Sequence, residues 1–184
     1  MDIIAFNTAD IMIKQRGYRK SDLLLLNEHK VVIYINPYNK KYLMLYKFII
    51  DRFNVSQYKN VISLITNIEK EIGGMIKIQN NIIIYSDSIT PMAKKYADNY
   101  KVNLELELFC INELQYNITK HRLVPTHIRL NTEETKLFKQ TFSVSNIPTI
   151  LTKDPISKFY NYKVGDIIKI IRNNGIVVFK VVKK

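Results

Sequence analysis

The chain has 184 residues, of which 47% are hydrophobic and 24% charged, a balance typical of folded rather than disordered proteins. A single cysteine, Cys110, excludes an intramolecular disulfide and any multi-cysteine zinc site. The net charge of +12 points to a polyanionic partner or an acidic protein surface, and it is uneven: residues 1–117 carry 15 Lys/Arg against 12 Asp/Glu, residues 118–184 carry 13 against 4.

The start, MDIIAFNTAD, lacks the basic head and long apolar core of a signal peptide. Apolar runs such as DLLLLNEHKVVIYINPY are broken by charge too soon to span a bilayer. An intracellular protein without a membrane partner is expected. Abundant Ile, Asn, Lys and Tyr beside no Trp is also the usage of an AT-rich genome, which accounts for part of the lysine excess.

In chain order, FNTADIMIKQRGYRKSD reads as a short helix with Asn7 or Thr8 as cap, Asp10 in its first turn and Gly17 as its stop. Leu23–Leu26 and Val31–Ile35 are apolar runs around NEHK, as in a buried hairpin. After Pro37, the apolar spacing of NKKYLMLYKFIIDRF suits a helix near 40–53. SQYKNVISLITNIEKEIGG repeats that pattern, with Ser56 as cap and Gly73-Gly74 as its end. Asn81–Ser86, NIIIYS, is a central strand of β-formers. Thr90 then caps a helix whose first residue is Pro91. Val102–Phe109 alternates as a half-exposed strand. Further on, Asn131 and Glu134 make a capping box, and DIIKIIRNNGIVVFKVVKK reads as a hairpin with a type I′ turn at Asn174-Gly175. Its apolar residues fall on both faces, which implies cover by the domain's own helix on one side and a partner on the other.

The stretch richest in chemistry-bearing groups is NITKHRLVPTHIRL, Asn117–Leu130. His121 and His127 are six apart and have neither a second cysteine nor a carboxylate cluster beside them, so no metal site is expected. Cys110 at an apolar strand end reads as a buried thiol, and Gly73-Gly74 lacks the Lys-Ser/Thr of a phosphate loop. A nuclease of the restriction-endonuclease type needs an acidic-x-Lys triplet on a strand to hold its metal. The one Glu-x-Lys here, Glu134-Thr135-Lys136, lies in the capping box, and the strands Val31–Ile35 and Ile82–Tyr85 hold no carboxylate. No catalytic residue and no cofactor are expected.

That same stretch resembles the start of the assembly domain in the fifth subunit shared by the eukaryotic nuclear RNA polymerases, a family with a shorter archaeal counterpart. The family's His-x-Leu-Val-Pro-x-His segment is matched by His121, Leu123, Val124, Pro125 and His127. An Asp-Pro turn follows at Asp154-Pro155, then an aromatic pair at Phe159-Tyr160 and a strand running Gly165-Asp166-Ile167-Ile168-Lys169-Ile170-Ile171-Arg172. Further matches to the eukaryotic members are Arg16-Gly17-Tyr18, and Thr90, Pro91, Ala93 and Lys94 in a Thr-Pro-x-Ala-Lys helix start, whereas residues 36–80 match poorly. Asn161 stands where the family usually has Gly, and RNNG shortens a longer hairpin tip.

The resemblance implies a restriction-endonuclease-like α/β jaw domain over residues 1–112 without its metal site. It further implies a small mixed α/β assembly domain over 113–184, with 113–120 as a bridge. It implies a non-catalytic RNA polymerase subunit whose partners are the largest and other subunits and downstream duplex DNA, and not a second copy of itself. Nucleus, or viral factory and virion, is the implied location. A helix start formed by Thr90 and Pro91, with Lys94 and Lys95 in its first turns, is the expected DNA contact. Docking on the largest subunit is expected from His121, Arg122, Leu123, Val124, Pro125, His127, Arg129, Asp154, Pro155, Lys169 and Arg172. The alternatives are a free-standing basic nucleic-acid-binding protein and an inactive nuclease-like domain.

Overall fold

The computed structural model describes residues 2–21, 30–71, 74, 76–100 and 104–184. The run Leu23–Leu26 lies outside them, as do Gly73 and Val102. The chain divides into two compact units, Met1–Tyr116 and Asn117–Lys184, each built on a mixed sheet.

In the first unit, α1 (Asp2–Gln15) is followed by β1 (Arg19–Lys20), β2 (Val31–Ile35), β3 (Tyr42–Phe53), α2 (Val55–Glu71), β4 (Ile78–Ile89), α3 (Pro91–Tyr100) and β5 (Glu105–Cys110). The sheet order is β1-β2-β3-β4-β5, antiparallel up to β3 and parallel from β3 to β5. The parallel half is two consecutive crossovers, through α2 and then α3, as parallel neighbours require. Met44, Tyr46 and Ile83 pack with Tyr58, Val61, Ile65 and Ile68 of α2 and Ala93 of α3. Strand alternation turns Leu43, Leu45, Ile82 and Ile84, all fully buried, to the other face. There α1 buries Ala5, Ala9, Met12 and Ile13 and is joined to the sheet by Tyr34 donating to Asp10 at 2.6 Å.

Residues 40–53 correct the sequence reading, because the expected helix is strand β3. A strand covered on both faces loses the alternating pattern and reads as a continuous apolar run, which periodicity alone does not separate from a helix. Two helix starts are also corrected. Helix α1 begins before Asn7, and Thr8 is buried within it. Helix α2 is capped by Asn54, whose Oδ1 accepts from the Gln57 N–H at 2.9 Å, and not by Ser56. Gly17 does end α1, with φ +86° and its N–H donating to the Lys14 carbonyl.

The division into compact units falls after Tyr116, within the stretch 113–120 read as a bridge. A short 3₁₀ turn, Ile111–Leu114, buries both Ile111 and Leu114 in the first unit.

The second unit contains β6 (Thr126–Arg129), α4 (Thr132–Thr141), β7 (Thr149–Leu151), α5 (Pro155–Tyr160), β8 (Ile167–Ile171) and β9 (Val177–Lys183), with strand order β6-β8-β9-β7. One face of this sheet carries Ile150, Ile168, Ile170 and Val182 against Ile156 and Tyr162. The capping box of α4 is formed in both directions: Asn131 Oδ1 accepts from the Glu134 N–H, and Glu134 Oε2 from the Asn131 N–H, each at 2.8 Å. Asn161 ends α5 in the left-handed conformation, φ 54° and ψ 47°, as its place in a turn requires.

The most buried ion pair among the described residues is Arg16–Glu107, a two-pronged contact with both N···O distances 2.8 Å and side chains 5% and 10% exposed. It ties the end of α1 to β5. Arg16→Met strands a buried carboxylate and is expected to cost about 3–5 kcal/mol, whereas Arg16→Met with Glu107→Leu recovers most of the loss. Urea denaturation followed by far-UV circular dichroism measures both, and an unchanged midpoint for the single variant refutes the role.

Candidate docking surface of the C-terminal unit

Asn117 opens the unit by accepting from the Thr119 N–H at 3.0 Å, which starts the 3₁₀ turn Ile118–Lys120. The segment after it, His121–Val124, is a turn. The Val124 N–H donates to the His121 carbonyl at 2.9 Å, and the Leu123 N–H to His121 Nδ1 at 3.3 Å. Val124 packs on the core, while Arg122 and Leu123 project to solvent. His127 Nδ1, protonated in the tautomer this contact requires, donates to the Pro125 carbonyl at 2.8 Å. Both histidines are thus engaged within their own turn.

Extended backbone begins at Thr126. Strand β6 pairs antiparallel with β8, from Thr126↔Ile171 to Arg129↔Ile168, and is an edge strand of the sheet. An edge with free N–H and C=O groups can accept a partner's strand. Arg129 Nη1 lies 3.4 Å from Asp166 Oδ2, which also accepts from the Lys163 N–H at 2.8 Å. Arg129 is therefore partly committed within the unit. Asp154 Oδ1 accepts from the Ile156 N–H at 2.9 Å with Pro155 opening the helix, so this pair sets the start of α5. Burial pushes the Tyr160 hydroxyl above the ordinary phenol range, against a hydrogen bond with Thr119. Burial likewise raises Tyr162, and ionisation of the neighbouring Tyr160 would add to the rise, against the opposing charge of Arg129. Both rings stay neutral in the core and stack on each other at 5.4 Å.

The second face of the sheet is covered only in part. It presents Lys169, Ile171, Val177 and Phe179, and Phe138 of α4 packs on Phe179 with centroids 4.6 Å apart. The domain's own second helix thus occupies part of the face expected to await a partner. No residue of α4 is fully buried, and Ile128, Leu137, Phe142 and Val177 remain 44%, 64%, 53% and 43% exposed. This exposed apolar group was not among the residues singled out from sequence, although the unmatched apolar positions of TEETKLFKQTF carry the signal.

In the other unit, Thr90 Oγ1 accepts from the Ala93 N–H at 3.3 Å at the start of α3. Pro91, Lys94 and Lys95 are exposed, as is Met92. The expected helix start is present with its lysines directed outward.

Residues 116–182 match the family model described as RNA polymerase Rpb5, C-terminal domain. Residues 116–182 are thus a domain of the Rpb5 C-terminal kind. Similar curated proteins include the DNA-directed RNA polymerases I, II, and III subunit rpabc1 of Dictyostelium discoideum, 37% identical over 114 residues, which are 59% of this chain and 58% of that one. A putative DNA-directed RNA polymerase subunit of Invertebrate iridescent virus 6 is 35% identical over 112 residues, 55% of this chain and 60% of its own length. The corresponding subunit of Caenorhabditis elegans is 34% identical over 97 residues, 52% of this chain and 46% of its own. The chain thus spans about half to three fifths of the curated relatives it matches.

The turn that closes the Rpb5 domain's main hairpin differs from the type I′ expectation. The Gly175 N–H donates to the Arg172 carbonyl at 2.9 Å and the Arg172 N–H to the Ile176 carbonyl at 2.9 Å. Gly175 has φ +78°, but Asn174 is not in the positive-φ region. This is the three-residue loop of a turn followed by a left-handed bulge residue, which needs Gly only at its last position. A Cβ at Gly175 meets no atom within 4 Å, so Gly175→Val acts through backbone strain alone. Its expected cost is about 1–3 kcal/mol, with Gly175→Asn costing less because Asn tolerates positive φ. Thermal melts of the full chain check the order, and equal melts for all three proteins refute it.

Proposed function

We propose that the chain is a non-catalytic subunit of a multisubunit DNA-directed RNA polymerase. The observation that carries this reading is the Rpb5 C-terminal match over residues 116–182, beside the similarity to proteins named as polymerase subunits in cellular eukaryotes and a virus. The Rpb5 domain is the anchor on the largest subunit, through β6, the neighbouring turn and the apolar strip of Ile128, Leu137, Phe142 and Val177. Nucleotide addition belongs to the large subunits, and this chain supplies no catalytic group and needs no cofactor. Its site is intracellular, in a nucleus or a viral factory and virion.

The first unit is the lower jaw beside downstream duplex DNA. A sheet covered by α1 on one face and by α2 and α3 on the other, with parallel β3-β4-β5, supports the restriction-endonuclease-like reading. The start of α3 supports the DNA contact, since exposed lysines beside a helix N-terminus suit a phosphate. A free-standing basic nucleic-acid-binding protein is the competing reading, favoured by the charge of residues 118–184.

Affinity purification of the tagged chain from the cell or infected cell that makes it separates the two. Stoichiometric recovery of two very large polymerase chains is expected, and recovery of the chain alone refutes the subunit reading. Ile128→Lys with Phe142→Lys is expected to reduce that recovery at least several-fold while leaving the melt close to the original, because both side chains are half exposed. Lys94→Glu with Lys95→Glu is expected to leave recovery intact and to make elongation complexes dissociate at lower salt. An unchanged salt dependence rules out the α3 contact.

A further inference from the structure

Two turns lie side by side at one end of the Rpb5 domain's sheet. The turn His121–Val124 holds Arg122 and Leu123 at its apex, and the hairpin turn begins at Arg172. Asn173 Nδ2 donates to the Arg122 carbonyl at 3.2 Å and latches one turn to the other. The pairing Thr126↔Ile171 brings the two chain segments together from the opposite side. Arg122 and Arg172 are exposed, and Leu123 is 74% exposed beside them.

The segments that build this end of the domain bring no counter-ion with them. Neither 117–132 nor 167–184 contains an Asp or Glu. Of the four carboxylates elsewhere in the unit, Glu133 lies in the first turn of α4, Glu134 and Asp154 cap helices, and Asp166 is engaged by Arg129 and the Lys163 N–H. Among the described residues neither Arg122 nor Arg172 makes an ion pair. Apolar side chains flank the arginines: Leu123 on one turn, Ile176 (51% exposed) and Val177 on the other. A phosphodiester backbone would leave those apolar groups without a partner, since nucleic-acid interfaces are polar and strongly basic. Arginine beside an apolar anchor is the composition of a protein-binding centre.

We propose that the latched turns bind an acidic protein segment, with carboxylates on Arg122 and Arg172 and an apolar side chain against Leu123. This deepens the docking reading and rests on it only for placing that segment in a large polymerase chain. Arginine suits the role because its planar donors grip a carboxylate by two parallel bonds. Asn173 is a positioning residue that holds the two arginines at a fixed spacing.

The test uses the full chain and two labelled probes, a Glu-rich peptide carrying a single Leu and a short DNA duplex, read by fluorescence polarisation. Arg122→Glu with Arg172→Glu is expected to weaken peptide binding by about tenfold or more, as loss of paired charges does. The charge-matched control Lys183→Glu with Lys184→Glu is expected to weaken it far less, and Leu123→Asp is expected to weaken it without changing the melt. Equal losses from the two double variants mean undirected charge attraction and overturn the proposal. Selective loss of duplex binding overturns it in favour of a phosphate surface. A melt far below the original for Arg122→Glu with Arg172→Glu moves the test to Arg122→Gln with Arg172→Gln, read the same way. Co-purification reports separately on the polymerase reading. A chain that grips the peptide at these arginines yet recovers no large subunits refutes that reading and supports this one.

Discussion

Side chains alternate across a strand, and β8 and β9 carry apolar residues at both parities. Ile168, Ile170 and Val182 face α5 and Tyr162, while Ile167, Ile171, Val177 and Phe179 face the other way. A sheet of this kind must be covered twice. The domain has one helix whose core side chains are well buried, α5, and a second, α4, that reaches the sheet through Phe138. With α4 in place, Ile128, Leu137, Phe142 and Val177 remain exposed. The exposed apolar side chains of the Rpb5 domain therefore follow from a shortage of cover over one ladder.

Charge is arranged by a similar shortage. Between residues 118 and 184 there are four carboxylates for 13 basic side chains, and three of the four are engaged with backbone N–H groups at helix caps or turns. Internal ion pairing cannot absorb the excess, so the cations face outward. The first unit is close to balanced and settles its main buried charge internally, with Arg16 and Glu107 forming a two-pronged pair and Asp10 held by Lys14 and Tyr34. Its sheet is covered on both faces. The two units thus differ in what they expose: the Rpb5 domain exposes Ile128, Leu137, Phe142, Val177, Arg122 and Arg172, the other the lysines at the start of α3.

Much of this was legible in the residues themselves. Local chemistry was read correctly where the signal needs only neighbours in sequence: the Asn131–Glu134 capping box, Thr90 before Pro91, Gly17 as a stop and Asn161 as a left-handed turn residue. The family resemblance over 117–184 rested on residue order and spacing, which are properties of the chain and need no fold. Some errors were local, at the caps of α1 and α2 and in the turn at Asn174-Gly175, but the largest came where the deciding partner is distant. Residues 42–53 read as a helix because cover on both faces erases the period of a strand, and that cover is supplied by α1 and α2.

The C-terminal unit divides in the same way. The sequence by itself determined the family of the C-terminal domain, the uneven charge and the hairpin, since each is a matter of composition or local pattern. Only the tertiary structure decided which basic groups are free and which are spent. Arg129 meets Asp166 across 37 positions, and Asn173 reaches the Arg122 carbonyl across 51. Contacts of that span are set by strand register, in which β6 lies against β8. Register depends on how whole faces pack, and no short stretch of residues contains it.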